Sequence, residues 1–358
     1  MTEFTISILA TVDPVVRSAT TVNLSFDDPP VVTVTYDLLD SGVRRMVADS
    51  SGIIELTVSD LEHPCLSCAI RHDVIPSIER LRADVRWNHA IVALPLTAEP
   101  APLIRYLAGA LGRHGLLAGC TYGASITAVD ARALHRDVFS DVFSDVFLAD
   151  LDLAINDSDD RVLSEALAPM LTTADVILLT TDDEATDTAL AVADHLAGLG
   201  TRVIDSGLSS LRAGDIVAGP GVLRDALRRI DPLDERRRSA HDRAGVWTLT
   251  LDSERAFHPA RLRINLHRLA GHCVRSRGQS WVSSLPGSAC IWEGAGRQLS
   301  VGEQGPPREN PPRTRIVITG IGDERDALLS AFSDSLAFPD ELDATSDRLD
   351  DWFPQGDH

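Results

Sequence analysis

Phe4-Thr5-Ile6-Ser7-Ile8-Leu9-Ala10-Thr11-Val12-Asp13-Pro14-Val15-Val16-Arg17-Ser18 is the stretch whose reading decides the fold. Phe4 to Ala10 is a short run rich in Ile and Leu and predicts a buried strand. Asp13-Pro14 reads as the N-cap and first position of a helix running from Val15 to Phe26. A capping carboxylate takes the orphan N–H groups of the first turn, and proline lacks an N–H that would go unpaired there anyway.

The same unit recurs outward from this stretch. Strands are predicted at Val31–Tyr36, His89–Leu94, Ala124–Val129, Ala174–Leu179 and Thr201–Ile204, with one or two further extended segments between Arg44 and Glu55. Helices are predicted at Val74–Asp84, Ala101–Arg113, Asp159–Leu171 and Glu184–Leu199. The first of these carries Val74, Ile75, Ile78 and Leu81 at helical spacing. Buried strands alternating with helices over residues 4–205 predict an α/β fold with a doubly wound, mostly parallel sheet. A threefold repeat beginning at Asp137-Val138-Phe139-Ser140 places Phe139, Phe143 and Phe147 at i, i+4 and i+8. On a helix these rings form one packing stripe.

A charged segment at 231–243, with Arg236-Arg237-Arg238, reads as a solvated linker. Beyond it the pattern changes to half-buried strands at Val246–Leu251, Ser280–Ser284, Ala289–Trp292, Gln298–Val301 and Arg315–Gly320. Helices are predicted at Pro259–Gly271 and Glu324–Phe338. This predicts a smaller α+β domain. The expected division is 1–230, a linker at 231–243, 244–338, and an acidic, mobile tail at 339–358.

The chain has 358 residues and a formal net charge of −20. Phosphate neutralisation dominates nucleic-acid affinity, so a general basic nucleic-acid surface is excluded; a basic protein partner is electrostatically easier. No apolar run reaches the ~18 residues of a membrane span. Met1-Thr2-Glu3-Phe4 lacks the basic start of a signal peptide, and five cysteines, an odd number, suit a reducing cytosol. A cytoplasmic location is expected. The sequence contains no lysine, which removes any mechanism that needs an ammonium group.

The densest chemistry lies in Glu62-His63-Pro64-Cys65-Leu66-Ser67-Cys68-Ala69-Ile70-Arg71-His72-Asp73. Two thiolates at Cys-x-x-Cys spacing reach one soft or borderline metal from a single turn, and His63 and His72 could complete a zinc site. The alternative is a pair of buried thiols at a loop-to-helix junction. Cys120, read as a loop thiol, is a further candidate ligand. His258, His272-Cys273 and Cys290 read as packing or capping groups.

Four stretches of the second half occur in an order that carries a resemblance. They are Ala256-Phe257-His258-Pro259-Ala260-Arg261-Leu262, Val274-Arg275-Ser276-Arg277-Gly278, Trp292 to Leu299, and Ile318-Thr319-Gly320-Ile321-Gly322-Asp323-Glu324-Arg325. They are similar to Pro-Phe-His-Pro-x-Arg-Leu, Arg-x-Lys-Gly, Trp-x-x-x-Gly-Gly-x-Leu and Ile-Gly-x-x-x-Asp-Arg of the CobW-type family of P-loop GTPases and metallochaperones. The resemblance covers about residues 4–338. Its Cys-x-Cys-Cys falls at Cys65-Leu66-Ser67-Cys68, and its Thr-x-Arg-x-Asp-Leu at Ala69 to Val74. Ser67 is a poor zinc ligand, so His63, His72 or Cys120 would have to stand in.

The family's nucleotide motifs are not kept. A P-loop needs glycines for close backbone approach, a lysine for the β/γ charge and a hydroxyl for magnesium. Ala10 to Ser18 has neither glycine nor lysine, Asp13 would repel phosphate, and only Arg17 and Ser18 could substitute. Ala93-Leu94-Pro95-Leu96 lacks the Glu-x-x-Gly pair, and Thr180-Thr181-Asp182-Asp183 keeps only Asp183 of the guanine-reading motif. The resemblance thus implies a degenerate nucleotide site, with Asp183, Arg17 and Ser18 as relics and neither GTP nor magnesium expected.

The branch this pattern resembles is the ribosome hibernation factor-recruiting (MRF-type) branch. The resemblance implies a zinc-responsive, non-catalytic adaptor whose partner is a protein, either basic ribosomal proteins or a hibernation factor. A GTP-dependent zinc metallochaperone and a metal-free structural pseudo-GTPase are the competing readings.

Overall fold

A computed structural model describes residues 4–26, 30–140, 146–156, 158–181, 185–205, 212–217, 222–235, 241–306, 313–338 and 341. Asp183, the Arg236–Arg238 triplet and all of the tail except Glu341 lie outside the described residues.

The first strand, β1 (Phe4–Ala10), leads through Asp13 into α1 (Pro14–Ser25), as its sequence predicts. β2 (Val31–Leu39) follows, then a hairpin of β3 (Gly42–Asp49) and β4 (Gly52–Asp60). The hairpin turn is held by Asp49, which accepts hydrogen bonds from the Ser51 N–H at 2.8 Å and the Ser51 hydroxyl at 2.6 Å. Gly52 takes φ 114°, which L side chains rarely adopt. Next come α2 (Leu66–Ala69), a π turn at Ile70–Val74, α3 (Ile75–Leu81), β5 (His89–Ala93), α4 (Ala101–Ala110) and β6 (Cys120–Asp130). α5 (Leu134–Phe139), α6 (Leu163–Thr173), β7 (Val176–Thr180), α7 (Asp187–Leu196) and β8 (Arg202–Asp205) complete the first layer set.

The eight strands lie in the order β4-β3-β2-β5-β1-β6-β7-β8. Strands β2, β5, β1, β6, β7 and β8 are parallel, and the β3–β4 hairpin adds an antiparallel edge. Side chains alternate across β1: Leu9 packs with Val16 and Leu24 of α1, while Ile6 and Ile8 face the larger core on the other side. The α/β, mostly parallel architecture is therefore the one expected.

The phenylalanine stripe does not form on one helix. α5 ends at Ser140, which is extended, and Phe147 is extended and bridges Val162. Phe139 is buried and Phe147 about half exposed. Phe143 lies outside the described residues; Ser140, where the helix stops, belongs to a residue type that competes with the backbone for hydrogen bonds and so disfavours helix interiors.

After α8 (Ala213–Val217) and α9 (Leu223–Arg229), a second sheet forms from β9 (Val246–Ser253), β10 (Arg275–Ser280), β11 (Ala289–Ala295), β12 (Gln298–Gly305) and β13 (Thr314–Ile321). It is antiparallel, in the order β12-β11-β10-β13-β9. α10 (Pro259–Ala270) and α11 (Arg325–Ser335) cover one face around Phe257, Trp292 and Phe332. Phe257 and Phe332 meet edge-on at 5.5 Å, and the Trp292 indole N–H donates to Ser276 Oγ at 2.9 Å.

The second sheet meets α9 and the segment that follows it across a buried ionic seam. Arg277 donates to the Arg229 carbonyl at 2.6 Å, to Glu235 at 2.8 Å and to Glu293 at 2.7 Å. Arg275 pairs with Glu293 at 2.7 Å, and Arg229 pairs with Asp175, which also accepts the Tyr122 hydroxyl. Lone charges would be costly here, and each is partnered.

Candidate metal centre

Strands β1, β2 and β5 end along one edge of the parallel sheet, where Leu9 and Thr35 both sit opposite Ala93. In open α/β sheets, ligands bind outside the carboxyl ends of the strands. Two connections shape this edge: Thr11–Asp13, which enters α1, and Leu61–Cys65, which enters α2.

The first connection is filled by the chain itself. Asp13 Oδ1 accepts hydrogen bonds from the Val15 and Val16 N–H groups at 2.7 and 3.1 Å, and the Asp13 N–H donates to Thr11 Oγ1 at 3.1 Å. The N–H groups that would cradle an anion are taken by a resident carboxylate. The Thr97 N–H donates to the Thr11 carbonyl at 3.1 Å, at a residue with φ 65°. Arg17 is committed as well: it donates to the Tyr36 and Leu94 carbonyls, both at 3.2 Å, and to Asp37 at 2.7 Å. Burial opposes ionisation of Asp37, but Arg44 and Arg17 outweigh it and hold its carboxyl below the usual range. The Ser18 hydroxyl donates back to the Pro14 carbonyl at 2.8 Å.

The second connection leaves its chemistry open. Cys65 is extended and caps α2, its sulfur accepting the Cys68 N–H at 3.5 Å. Both thiols are free and partly exposed. A side-chain hydrogen bond with the neighbouring Cys65 raises the Cys68 thiol pKa, with desolvation adding a second push. His63 and Cys65 line a cleft of about 800 Å³ together with Leu38, Asp40 and Asp152. Two thiolates on one turn supply half of a tetrahedral zinc set, so the donor chemistry fits the ion while leaving positions to fill.

The other candidates are not gathered here. His72 is exposed on the π turn and does not line the cleft. Cys120 is a correction to the expected loop thiol: it begins β6 opposite Phe4, at the far end of the strands. β1 has seven residues, about 20 Å of strand at ~3.3 Å per residue, and this length separates Cys120 from the cysteine turn's edge. Its surroundings are structural, with Arg82 donating to the Cys120 sulfur at 3.8 Å and to the Ala118 carbonyl at 2.8 Å. Among the described residues, no three or more His, Cys, Asp or Glu side chains are grouped to hold a metal ion.

Sequence reasoning missed the support beneath the turn. Asp73 is buried and accepts hydrogen bonds from Arg45 of β3 at 2.5 Å and from Ser77 at 3.3 Å. Arg45 also donates to Glu55 of β4 at 2.6 Å, and Glu55 accepts Arg80 of α3 at 2.7 Å. The available signal was Asp73 and Ser77 at i, i+4 beside the apolar Ile70, Val74 and Ile78.

Residues 35–201 match the CobW/HypB/UreG nucleotide-binding domain, and residues 246–336 match the cobalamin synthesis protein cobW C-terminal domain. Two stretches of the chain are thus similar to domains of the CobW/HypB/UreG family. Within the stretch that matches the cobW C-terminal domain, the four motifs fall at the start of α10, in β10, at the β11–β12 hairpin and between β13 and α11.

The chain is 28% identical over 283 residues to "Zinc chaperone Rv0106" of Mycobacterium tuberculosis, a match covering 74% of this chain and 64% of that protein. It is 23% identical over 265 residues to "Zinc-regulated GTPase metalloprotein activator 1" of Dictyostelium discoideum, covering 68% of this chain and 53% of that protein. The chain thus spans under two thirds of the length of these curated relatives. The crystal structure of Zn(II)-bound YjiA GTPase from E. coli aligns over 94% of this chain with 14% identity and a TM-score of 0.38, a superposition too loose to bear on the site.

Proposed function

We propose that this CobW-type chain is a cytoplasmic zinc-binding protein that holds the ion through Cys65 and Cys68 and receives its remaining donors from His63 and a protein partner. The observation that carries this reading is the sulfur-capped turn: the Cys65 sulfur accepts the Cys68 N–H, so both cysteines belong to one helix end, and Cys65 shares a cleft with His63. Zinc would neutralise two thiolates and stiffen the turn, so its presence biases what the cleft can bind. The printed names of the mycobacterial and Dictyostelium relatives support a zinc-related role. The test is zinc stoichiometry by competition with a chromophoric chelator on the wild type and on Cys65→Ser/Cys68→Ser. One zinc in the wild type and none in the double variant is expected; no zinc in either sinks the reading.

We propose further that the chain acts without GTP turnover. The Asp13 carboxylate on the α1 N–H groups, the engagement of Arg17 with Asp37 and the absence of lysine support this. A GTP-driven zinc chaperone is the competing reading, and saturable Mg–GTP binding with turnover would favour it. In the finer version the chain is an adaptor that brings a hibernation factor to the ribosome under zinc limitation. Its support is the divergent first connection, the single Cys-x-x-Cys and an acidic surface suited to basic proteins. Pull-down of ribosomes or the hibernation factor with and without chelator tests it, and equal recovery in both would set it aside.

A further inference from the structure

The cysteine turn is the tip of a longer rod. α2, the π turn and α3 run without interruption from Leu66 to Leu81, and both thiols sit at its first turn. α2 alone has only 4 residues, far too few to hold its own shape in water. Something further along must fix where the thiols point.

The rod is pinned to the β3–β4 hairpin by four charged side chains. Asp73, in the π turn, is 5% exposed and receives Arg45 at 2.5 Å. Arg45 reaches from Asp73 to Glu55 on β4, and Arg80 closes the circuit from α3 onto the other oxygen of Glu55. Thr57 adds a hydrogen bond to Glu55 at 2.9 Å. The π turn is itself a departure from regular helix, of a kind frequently found at functional sites. Here it places Asp73 inward, five residues beyond Cys68, where a buried carboxylate requires a partner.

We infer that Asp73 and Arg45 are positioning residues for the metal: neither touches the ion, and together they hold the rod so that Cys65 lines the His63 cleft with Cys68 on the turn just behind it. This rests on zinc binding at the two cysteines, as proposed above. Outer residues that orient ligands typically account for about 10- to 100-fold in metal affinity. Removing the Asp73 charge leaves both thiols in place and frees the rod's first turns to fray or rotate.

The test is zinc affinity by chelator competition, together with the thiolate-to-metal absorption of the cobalt(II) form, on the wild type, Asp73→Asn, Arg45→Gln and the double variant. Expected are one zinc per chain in all four, affinity weakened about 10- to 100-fold in each single variant, and no further loss in the double variant. The cobalt band should weaken or shift with them. Arg45→Lys, which keeps the charge and one donor, should recover most of the affinity and serves if Arg45→Gln does not fold. Wild-type affinity and an unchanged cobalt spectrum in folded Asp73→Asn would overturn the inference while leaving zinc binding intact. Absence of zinc in the wild type would overturn both.

Discussion

Two connections at the same edge of the parallel sheet join a strand to a helix, and they end differently. At Thr11–Asp13 the helix N–H groups are satisfied by a carboxylate two and three residues back. At Leu61–Cys65 the cap is a sulfur, a weak acceptor at 3.5 Å from the Cys68 N–H, and a second thiol lies on the same turn. A carboxylate cap satisfies the backbone and repels anions; a thiol cap satisfies it poorly and remains a ligand. The first connection is satisfied from within the chain, and the second keeps two free thiols at its helix end.

The comparison can be broken most sharply at the cysteines. Cys65→Ser/Cys68→Ser should abolish zinc binding, and retention of zinc by this variant in chelator competition would show that the second connection is not the ligand-bearing one. Next in size, Asp13→Ala should cost about 1 kcal/mol of stability in denaturant unfolding, the usual value of an N-cap. It should not by itself create Mg–GTP binding, because Arg17 remains engaged with Asp37. Fluorescent-nucleotide titration checks the second half, and a saturable signal in either protein would return nucleotide chemistry to the first connection.

Acid treats the two connections alike. Glu55 is held down to about 2, chiefly by Arg80 against the cost of burial, with Arg45 assisting, and Asp37 is also lowered. A folded-state pKa below the unfolded value contributes stability that is present above the unfolded value of about 4.5 and is lost as pH falls toward 2. The share of thermal stability due to Glu55 should therefore be constant above about pH 5 and fall below it, read as a smaller loss of melting temperature between about pH 5 and about pH 2 in Glu55→Gln than in the wild type. The smallest effect is expected from Cys120→Ser: unchanged zinc affinity, since that thiol lies at the other end of the strands.

Local chemistry made much of this legible in the sequence. Asp13-Pro14 announced its own cap and helix, and the apolar runs of β1, β5 and β7 fixed the parallel sheet because strands buried on both faces have little other composition available. The Cys-x-x-Cys turn was visible because its geometry needs only three residues. What failed was long range. Nothing in Gly119-Cys120-Thr121 tells which end of the sheet Cys120 occupies; pairing with Phe4 decides that. The Arg45–Asp73 and Arg45–Glu55 contacts join residues 28 and 10 apart, and periodicity carries no information on which arginine an aspartate will meet. Helical spacing of Phe139 and Phe147 does not make a stripe because the helix stops before Ser140 and Phe147 pairs with Val162 instead.

The seam between the second sheet and α9 has a mechanical corollary. Arg277 and Glu235 are each about 5% exposed or less, and Arg277 simultaneously grips a backbone carbonyl from the opposite side. Parting the two layers even slightly would strand charge in a dry gap before water could enter, so small excursions gain nothing. The joint is therefore held by contacts that are costly to part singly, because each charge at it would lose a partner before it regained water.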